Sequence, residues 1–377
     1  MRVIFTCGGT AGHINPALAL AKGLQERKPG AKVLFVGAAG DSMESHLVPQ
    51  AGFPLKQVNV NSFRRKLSAE GLKHNLMAAR NIFRSRRQAA AILNDFQPDL
   101  VVGTGGFASY PAVREAARRG IPTAIHESNA IPGLTTKRLA SHVDRVMLGI
   151  ADANTAAGYP HPDRVVVTGT PVRPGFYART RKEARTALGL RDDKPLVLSC
   201  WGSLGAVEMN RRMVDFLALC AKDGCPFHHI HGTGKWYYDD TVHALREKGV
   251  ELSRFPALDV RAYIDDMALC MAAADVVLCR AGASTISELI ALAKPAVLVP
   301  SPNVTGDHQT KNARVRADAG GAVLLPEGEC APQRLYGEVR HLLDAPEERK
   351  TMGEAVAKLA PPDATELILD TLLTLVR

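Results

Sequence analysis

Val3-Ile4-Phe5-Thr6-Cys7-Gly8-Gly9-Thr10-Ala11-Gly12-His13 is the stretch whose reading decides the fold. An apolar run ends in a turn crowded with glycine. A helical pattern then opens at Pro16, with Ala17, Leu18, Leu20, Ala21 and Leu24 at its apolar positions. A strand running through glycines into a helix is how α/β proteins bring backbone N–H groups up to a phosphate. The turn lacks the Gly-x-Gly-x-x-Gly spacing of a dinucleotide fold and carries His13 instead. That difference points away from nicotinamide chemistry and toward a nucleotide-sugar enzyme. The competing reading is a simple tight turn whose glycines serve only positive φ.

Outward from this unit the same alternation continues. Apolar runs at Lys32–Gly37, Leu55–Val60, Leu100–Gly103, Thr123–His126, Arg145–Leu148 and Val165–Thr168 predict strands separated by helical patterns. After a Pro- and Gly-rich stretch it resumes at Leu196–Cys200, His228–His231, Val250–Phe255, Val276–Cys279, Ala296–Val299 and Ala322–Leu325. Strands alternating with helices predict βαβ units and parallel sheets. The expected architecture is α/β, with two Rossmann-like domains whose parallel sheets face a cleft. An N-terminal domain is expected over 1–160, a linker over 161–175 and a second domain over 176–360. A chain of 377 residues exceeds what one core usually holds.

Composition narrows the class. Apolar residues make up 46% and charged residues 23%, which fits a folded globular chain. The net charge of +9 favours anionic partners. Seven scattered cysteines without Cys-x-x-Cys argue against a disulfide framework or zinc site and fit a reducing compartment. The three-residue apolar run at the start does not read as a signal peptide, and no run approaches a membrane span. Aromatics at 5% offer no RNA-stacking platform, so no nucleic-acid partner is expected.

Further polar residues stand at predicted strand ends. Gly103-Thr104-Gly105-Gly106 forms a second glycine turn in the first half, and His126-Glu127-Ser128-Asn129 ends another strand, either as site residues or as caps and core hydrogen bonds. In the second half Trp201-Gly202-Ser203-Leu204-Gly205 and Ala281-Gly282-Ala283-Ser284-Thr285 are again turns before helices. Glu288 would accept both hydroxyls of a ribose there, or simply complement the helix dipole. Gln309 stands one unit further on. His229 and His231 share a strand face but have no carboxylate or thiol beside them, and no Asp-x-Asp clamp occurs, so no metal and no cofactor are expected. The segment Asn61–Gln88 holds eight basic residues and one acid, Glu70. Leu72, Leu76 and Phe83 form an apolar stripe among Arg80, Arg84 and Arg87, which reads as a basic amphipathic helix for an anionic membrane surface or as a solvated helix.

These ordered motifs, with Asn15-Pro16, Thr168-Gly169-Thr170-Pro171-Val172-Arg173, Ile264-Asp265-Asp266-Met267 and Asp307-His308-Gln309, resemble the MurG family within glycosyltransferase family 28, over essentially the whole chain. The resemblance implies a GT-B fold, with a last helix over 363–377 returning to the N-terminal domain. It implies an inverting, UDP-N-acetylglucosamine-dependent hexosyltransferase acting on lipid I to make lipid II for peptidoglycan. It places such an enzyme peripherally on the cytoplasmic face of the cell membrane.

By the same resemblance Ile264 offers its backbone to uracil, Glu288 binds ribose, Ser203 and Thr285 hold the diphosphate, and Gln309 reaches the donor sugar. Thr10, Gly12, His13 and Asn129 line the acceptor side, and Arg173 adds a charged contact. His13 is the expected general base, or the group that orients it, since its turn would face the cleft and an unperturbed imidazole titrates near neutrality; the competing reading is a structural histidine that holds the loop. Phe107, Ser128, Trp201 and Thr310 depart from the family's usual Tyr, Gln, Gly and Gln. The alternatives are another GT-B transferase with a different lipid acceptor, a UDP-N-acetylglucosamine epimerase, or a non-enzymatic binder.

Overall fold

The computed structural model describes residues 1–60, 84–150, 155–202, 204–359 and 363–376. Contacts divide the chain into two units, Met1–Arg173 with Ala360–Arg377, and Pro174–Leu359.

In the first unit the strands are β1 (Arg2–Thr6), β2 (Lys32–Ala38), β3 (Leu55–Val58), β4 (Leu100–Gly103), β5 (Thr123–Glu127), β6 (Arg145–Leu148) and β7 (Val165–Val167). They form one sheet in the order β3-β2-β1-β4-β5-β6-β7, and every pairing is parallel. The central strands are nearly continuous runs of Val, Ile, Leu and Phe because helices cover both faces. β7 lies inside the stretch read as linker and forms one edge of this sheet.

The first helix, Ala11–Arg27, begins five residues before the Pro16 start that periodicity predicts. The N–H groups of His13 and Ile14 both bond the Thr10 carbonyl, at 3.0 and 3.2 Å, so the turn passes directly into helix. Pro16 sits inside and forfeits one i→i−4 bond, which the surrounding burial offsets. His13 therefore belongs to a helical first turn rather than to a loop. The C-terminal helix Ala364–Leu373 buries Ile368, Leu369 and Leu372 in the same core as Ile14, Leu20, Phe5 and Phe35. Arg27 ties the two helices together through Glu366 at 3.2 Å and Asp370 at 2.7 Å.

The second unit holds β8 (Leu196–Cys200), β9 (His228–Gly232), β10 (Leu258–Arg261), β11 (Val276–Cys279), β12 (Ala296–Leu298) and β13 (Val323–Leu324). Their order is β10-β9-β8-β11-β12-β13, again parallel throughout. One expected strand is misplaced. Val250–Phe255 contains the short 3-10 turn Leu252–Arg254, and the edge strand lies at Leu258–Arg261. The polar Glu251, Ser253 and Arg254 break the first run. Leu258 and Val260 alternate with polar residues and bury one face, as an edge strand requires.

His229 and His231 turn to one side of β9 and meet Ser199 of β8. Ser199 Oγ lies 2.8 Å from His229 Nε2 and 2.7 Å from His231 Nδ1, and all three residues are fully buried. Among the described residues His229 Nδ1 and His231 Nε2 have no hydrogen-bond partner. Burial pushes both imidazoles down, His231 to about 4. The unfolded chain therefore binds protons here that the folded one refuses, so stability rises with pH between the two values. Urea unfolding should show stability falling as pH drops from about 6.5 toward 4, by on the order of 3 kcal/mol for His231 alone. His229→Leu, beside Phe216 and Phe227, should flatten that slope above pH 4.5, where carboxylates do not yet contribute. An unchanged slope assigns the acid sensitivity to other groups.

Candidate active site

In an open parallel sheet, ligands gather at the carboxyl ends of the strands where the strand order reverses. In the first unit that point lies between β1 and β4. The turns leaving these two strands, Cys7–Thr10 and Thr104–Gly106, are locked together. Thr104 Oγ1 donates to the His13 carbonyl at 2.7 Å, and Ser109 Oγ donates to the Thr6 carbonyl at 2.8 Å. Gly106 comes so close that a Cβ there would lie 2.2 Å from the Gly8 oxygen. Gly105, at φ +114°, passes under the His13 ring, where a Cβ would meet Cδ2 at 2.4 Å.

His13 Nδ1 lies 3.0 Å from the Gly8 carbonyl oxygen. A carbonyl only accepts, so Nδ1 carries a proton, and in the neutral tautomer the lone pair falls on Nε2. The ring is partly exposed. Thr10 is exposed with its hydroxyl 3.4 Å from the same Nδ1, and Gly12 lies in the helical first turn, where Ala11 and Gly12 amides have no carbonyl along the helix. Beneath the turn lies Glu44, which the sequence reading passed over. It is fully buried, and its carboxylate accepts from Gly9 N–H at 3.2 Å and Ala38 N–H at 3.0 Å.

The His126–Asn129 stretch resolves into a scaffold. His126 is buried, with Nε2 donating to the Gly169 carbonyl at 2.9 Å and Nδ1 3.3 Å from Ser128 Oγ. Burial lowers its pKa, which keeps it neutral. Glu127 accepts from Asn129 N–H at 3.0 Å, Asn129 Nδ2 at 3.1 Å, Gly133 N–H at 2.9 Å and Thr136 Oγ1 at 2.6 Å. A buried carboxylate thus folds the loop that carries Asn129. Phe107 is 47% exposed beside Gly9. Arg173 is exposed at the end of this unit.

In the second unit the strand order reverses between β8 and β11, and the helix Ala283–Ala291 starts just after β11. Thr285 lies in its first turn, where unbonded amides face outward, and Glu288 follows one turn later. Ile264 is buried, with Cδ1 2.9 Å from where a Gly232 Cβ would sit, so its side chain packs against β9. Gln309 accepts from Ser301 N–H at 2.9 Å, and Asn312 Nδ2 donates to the Ala281 carbonyl at 3.2 Å. Arg280 braces the same loops through the Val299 and Pro300 carbonyls, both at 3.2 Å, and Glu327 at 2.5 Å. Trp201 turns its ring into the core beside Met209 and Met213 rather than toward the turn. Thr310 donates to Asp307 at 2.6 Å and so serves its own loop. Ser203, Leu72, Leu76, Arg80 and Phe83 lie outside the described residues. Arg84 and Arg87 are exposed on a helix over 84–96.

Residues 3–148 match the glycosyltransferase family 28 N-terminal domain, and residues 197–368 match the glycosyltransferase family 28 C-terminal domain. A relative from Acetivibrio thermocellus is 39% identical over 370 residues, covering 98% of this chain and 97% of that protein. It is described as a UDP-N-acetylglucosamine–N-acetylmuramyl-(pentapeptide) pyrophosphoryl-undecaprenol N-acetylglucosamine transferase. The chain belongs to glycosyltransferase family 28. A Lactococcus lactis relative with the same description is 38% identical over 97% of both chains. The crystal structure of Acinetobacter baumannii MurG superposes with a TM-score of 0.76 at 27% identity, covering 99% of each chain. A UDP-GlcNAc 2-epimerase from Neisseria meningitidis gives 0.65 at 15% identity, a likeness of fold alone. The chain is a glycosyltransferase with the GT-B fold.

The fit of His13 over Gly105 sets a direct test. Gly105→Ala is strained at φ +114° and displaces the ring. Turnover should fall about 100-fold, as misplaced catalytic groups cost, while UDP affinity in calorimetry stays unchanged. Normal turnover would detach His13 from the chemistry.

Proposed function

We propose that this chain transfers N-acetylglucosamine from UDP-N-acetylglucosamine to the muramyl-pentapeptide of lipid I, with inversion at the sugar, to form lipid II. The observation that carries the reading is the 39% identity, over 98% of the chain, to a protein described as catalysing that transfer. The residues suit the chemistry. Displacement at the anomeric carbon needs a base for the acceptor hydroxyl and stabilisation for the departing UDP. His13 Nε2 takes the hydroxyl proton. The amides at the start of helix Ala283–Ala291 hold the diphosphate with Thr285 and Ser203. Glu288 binds ribose, the Ile264 backbone binds uracil and Gln309 reaches the sugar. Thr10, Gly12 and Asn129 position the acceptor, with Arg173 adding charge. Release of UDP from UDP-N-acetylglucosamine on addition of a lipid I analogue tests the reaction. Release without a glycosylated product, or epimerised sugar, would overturn it.

Glu288→Ala should weaken UDP binding by roughly 10–100-fold, because each charged hydrogen bond contributes about 1.5–3 kcal/mol. Equal UDP affinity in calorimetry removes Glu288 from the donor site.

We also propose that Asn61–Gln88 docks the first unit on the anionic inner face of the cell membrane. Support comes from the charge at its described end. Arg86 and Arg87 join Arg118 and Arg119 around a cavity of about 300 Å³. The single carboxylate there, Glu115, is buried and paired to Arg86, Arg118 and Arg119 at 3.2, 2.7 and 2.9 Å. Those arginines hold its pKa down at about 2. Four guanidinium groups against one carboxylate leave a positive surface. Among the described residues no helix is long and apolar enough to cross a membrane. Basic residues near an anionic surface contribute about 1 kcal/mol each. Co-sedimentation with anionic vesicles should therefore fall sharply when Arg80, Arg84 and Arg87 are all changed to Glu, and for wild type in high salt. Equal binding by wild type and the triple variant would place the docking surface elsewhere.

A further inference from the structure

One buried group has no part in the chemistry assigned so far. Glu44 lies in the first turn of the helix Met43–Gln50, completely shielded from solvent. No cation pairs with it among the described residues, and its bonds are to the N–H groups of Gly9 and Ala38. The space it takes is reserved in the sequence. A Cβ at Gly8 would lie 2.6 Å from Glu44 Oε1, and one at Gly37 would lie 2.6 Å from Glu44 Cγ. A buried unpaired carboxylate is costly unless strong hydrogen bonds offset the burial. Its negative charge is felt nearby, where it adds to burial in pushing the Cys7 thiol up.

The N–H that Glu44 Oε2 accepts, at 3.2 Å, belongs to the peptide group joining Gly8 to Gly9. The carbonyl of that same peptide group receives the His13 Nδ1 proton, at 3.0 Å. The peptide is planar, with N–H and C=O pointing in opposite directions. One rigid amide is therefore held by a carboxylate at one end and an imidazole at the other. Gly9, at φ +85°, lets the chain turn so that both ends are reached.

We infer that Glu44, the Gly8–Gly9 peptide and His13 form a carboxylate–peptide–imidazole relay, in which Glu44 is a positioning residue for the transfer reaction. This rests on the reading of His13 as base. A carboxylate on the N–H polarises the amide and makes its carbonyl a stronger acceptor. That holds the proton on Nδ1, keeps the Nε2 lone pair for the acceptor hydroxyl and stabilises the imidazolium that forms. The hydroxyl proton moves to Nε2, the Nδ1 proton stays in place, and no proton passes to Glu44. The arrangement does the work of an aspartate beside a catalytic histidine with a peptide group interposed.

Glu44→Gln keeps the size, but one amide oxygen cannot serve both N–H groups, and the charge is gone. Turnover should fall about 10–100-fold, the range for groups that orient a reactive one, with KM for UDP-N-acetylglucosamine unchanged. Ring ¹⁵N shifts should show His13 protonated at Nδ1 in the wild type and losing that preference in Glu44→Gln. On a His13→Ala background, Glu44→Gln should cost nothing further, because the coupled groups act as one. If Glu44→Gln does not fold, Glu44→Asp, too short to reach Gly9, takes its place with the same expectations. Full additivity of the two substitutions, or an unmoved ¹⁵N signature with normal turnover, overturns the relay. Near-normal turnover of His13→Ala alone would instead overturn the base assignment on which it rests.

Discussion

The candidate site of the first unit depends on one close approach, that of the β4 turn to the β1 turn. β1 is flanked by β2 and β4, all parallel, so the turns after β1 and β4 emerge side by side at the same end of the sheet. Gly106 lies against the Gly8 carbonyl and Gly105 against the His13 ring. Because the approach leaves no room for side chains, the imidazole rests on backbone and its orientation is not a matter of side-chain packing. Glu44 completes the cluster from the other flank, since the helix after β2 starts there. β1 therefore delivers the peptide group and the ring, β2 the carboxylate, and β4 the glycine turn that backs them.

The second unit repeats the topology with different contents. Its candidate residues also stand at the switch point, yet most of the polar side chains there bond to backbone. Gln309 takes the Ser301 N–H, Asn312 reaches the Ala281 carbonyl, and Arg280 spans two carbonyls and Glu327. Such bonds shape the loops so that amide groups at the start of helix Ala283–Ala291 are presented in a fixed array. A fixed array of donors is what the proposed hold on the departing diphosphate requires.

The alternation of strands and helices was readable because parallel sheets covered on both faces demand continuous apolar runs, and these occur at Val3–Thr6, Leu100–Gly103 and Val276–Cys279. The glycine turns were readable because close approach leaves no other residue type. Three features were not. The helix start at Ala11 was hidden by Pro16, a residue that ordinarily marks a first turn. The edge strand at Leu258–Arg261 was hidden because its two apolar residues are no more continuous than Val250, Leu252 and Phe255 just before it. Glu44 was hidden most completely, in the polar stretch Asp41-Ser42-Met43-Glu44-Ser45, where an acid in a first helical turn reads as a dipole partner. Only the pairing of β1 with β2 brings it beneath Gly8 and Gly9. Likewise His126 reads equally as a site residue or a core hydrogen bond until the bond to Gly169, 43 positions away, shows where its ring goes.

The net charge of +9 invites the idea that cations hold the donor's diphosphate. The buried cations of the second unit are occupied otherwise. Lys294 donates to the Ala272 and Ala274 carbonyls at 2.6 and 2.8 Å, and Arg316 to the Gly321 and Lys294 carbonyls. Burial lowers the pKa of both, Lys294 to about 8, which marks them as groups set in an apolar interior. Arg280 is spent on Glu327 and two carbonyls. These three cations are therefore not available to an anion, and the proposed diphosphate site draws on helix-start amides, whose partial charges cost no desolvation of a full ion. The exposed excess of guanidinium groups lies instead in the first unit, around Glu115. The guanidinium surface proposed to meet a membrane and the helix-start amides proposed to hold the diphosphate thus belong to different units and are built from different groups, full charges in one and peptide dipoles in the other.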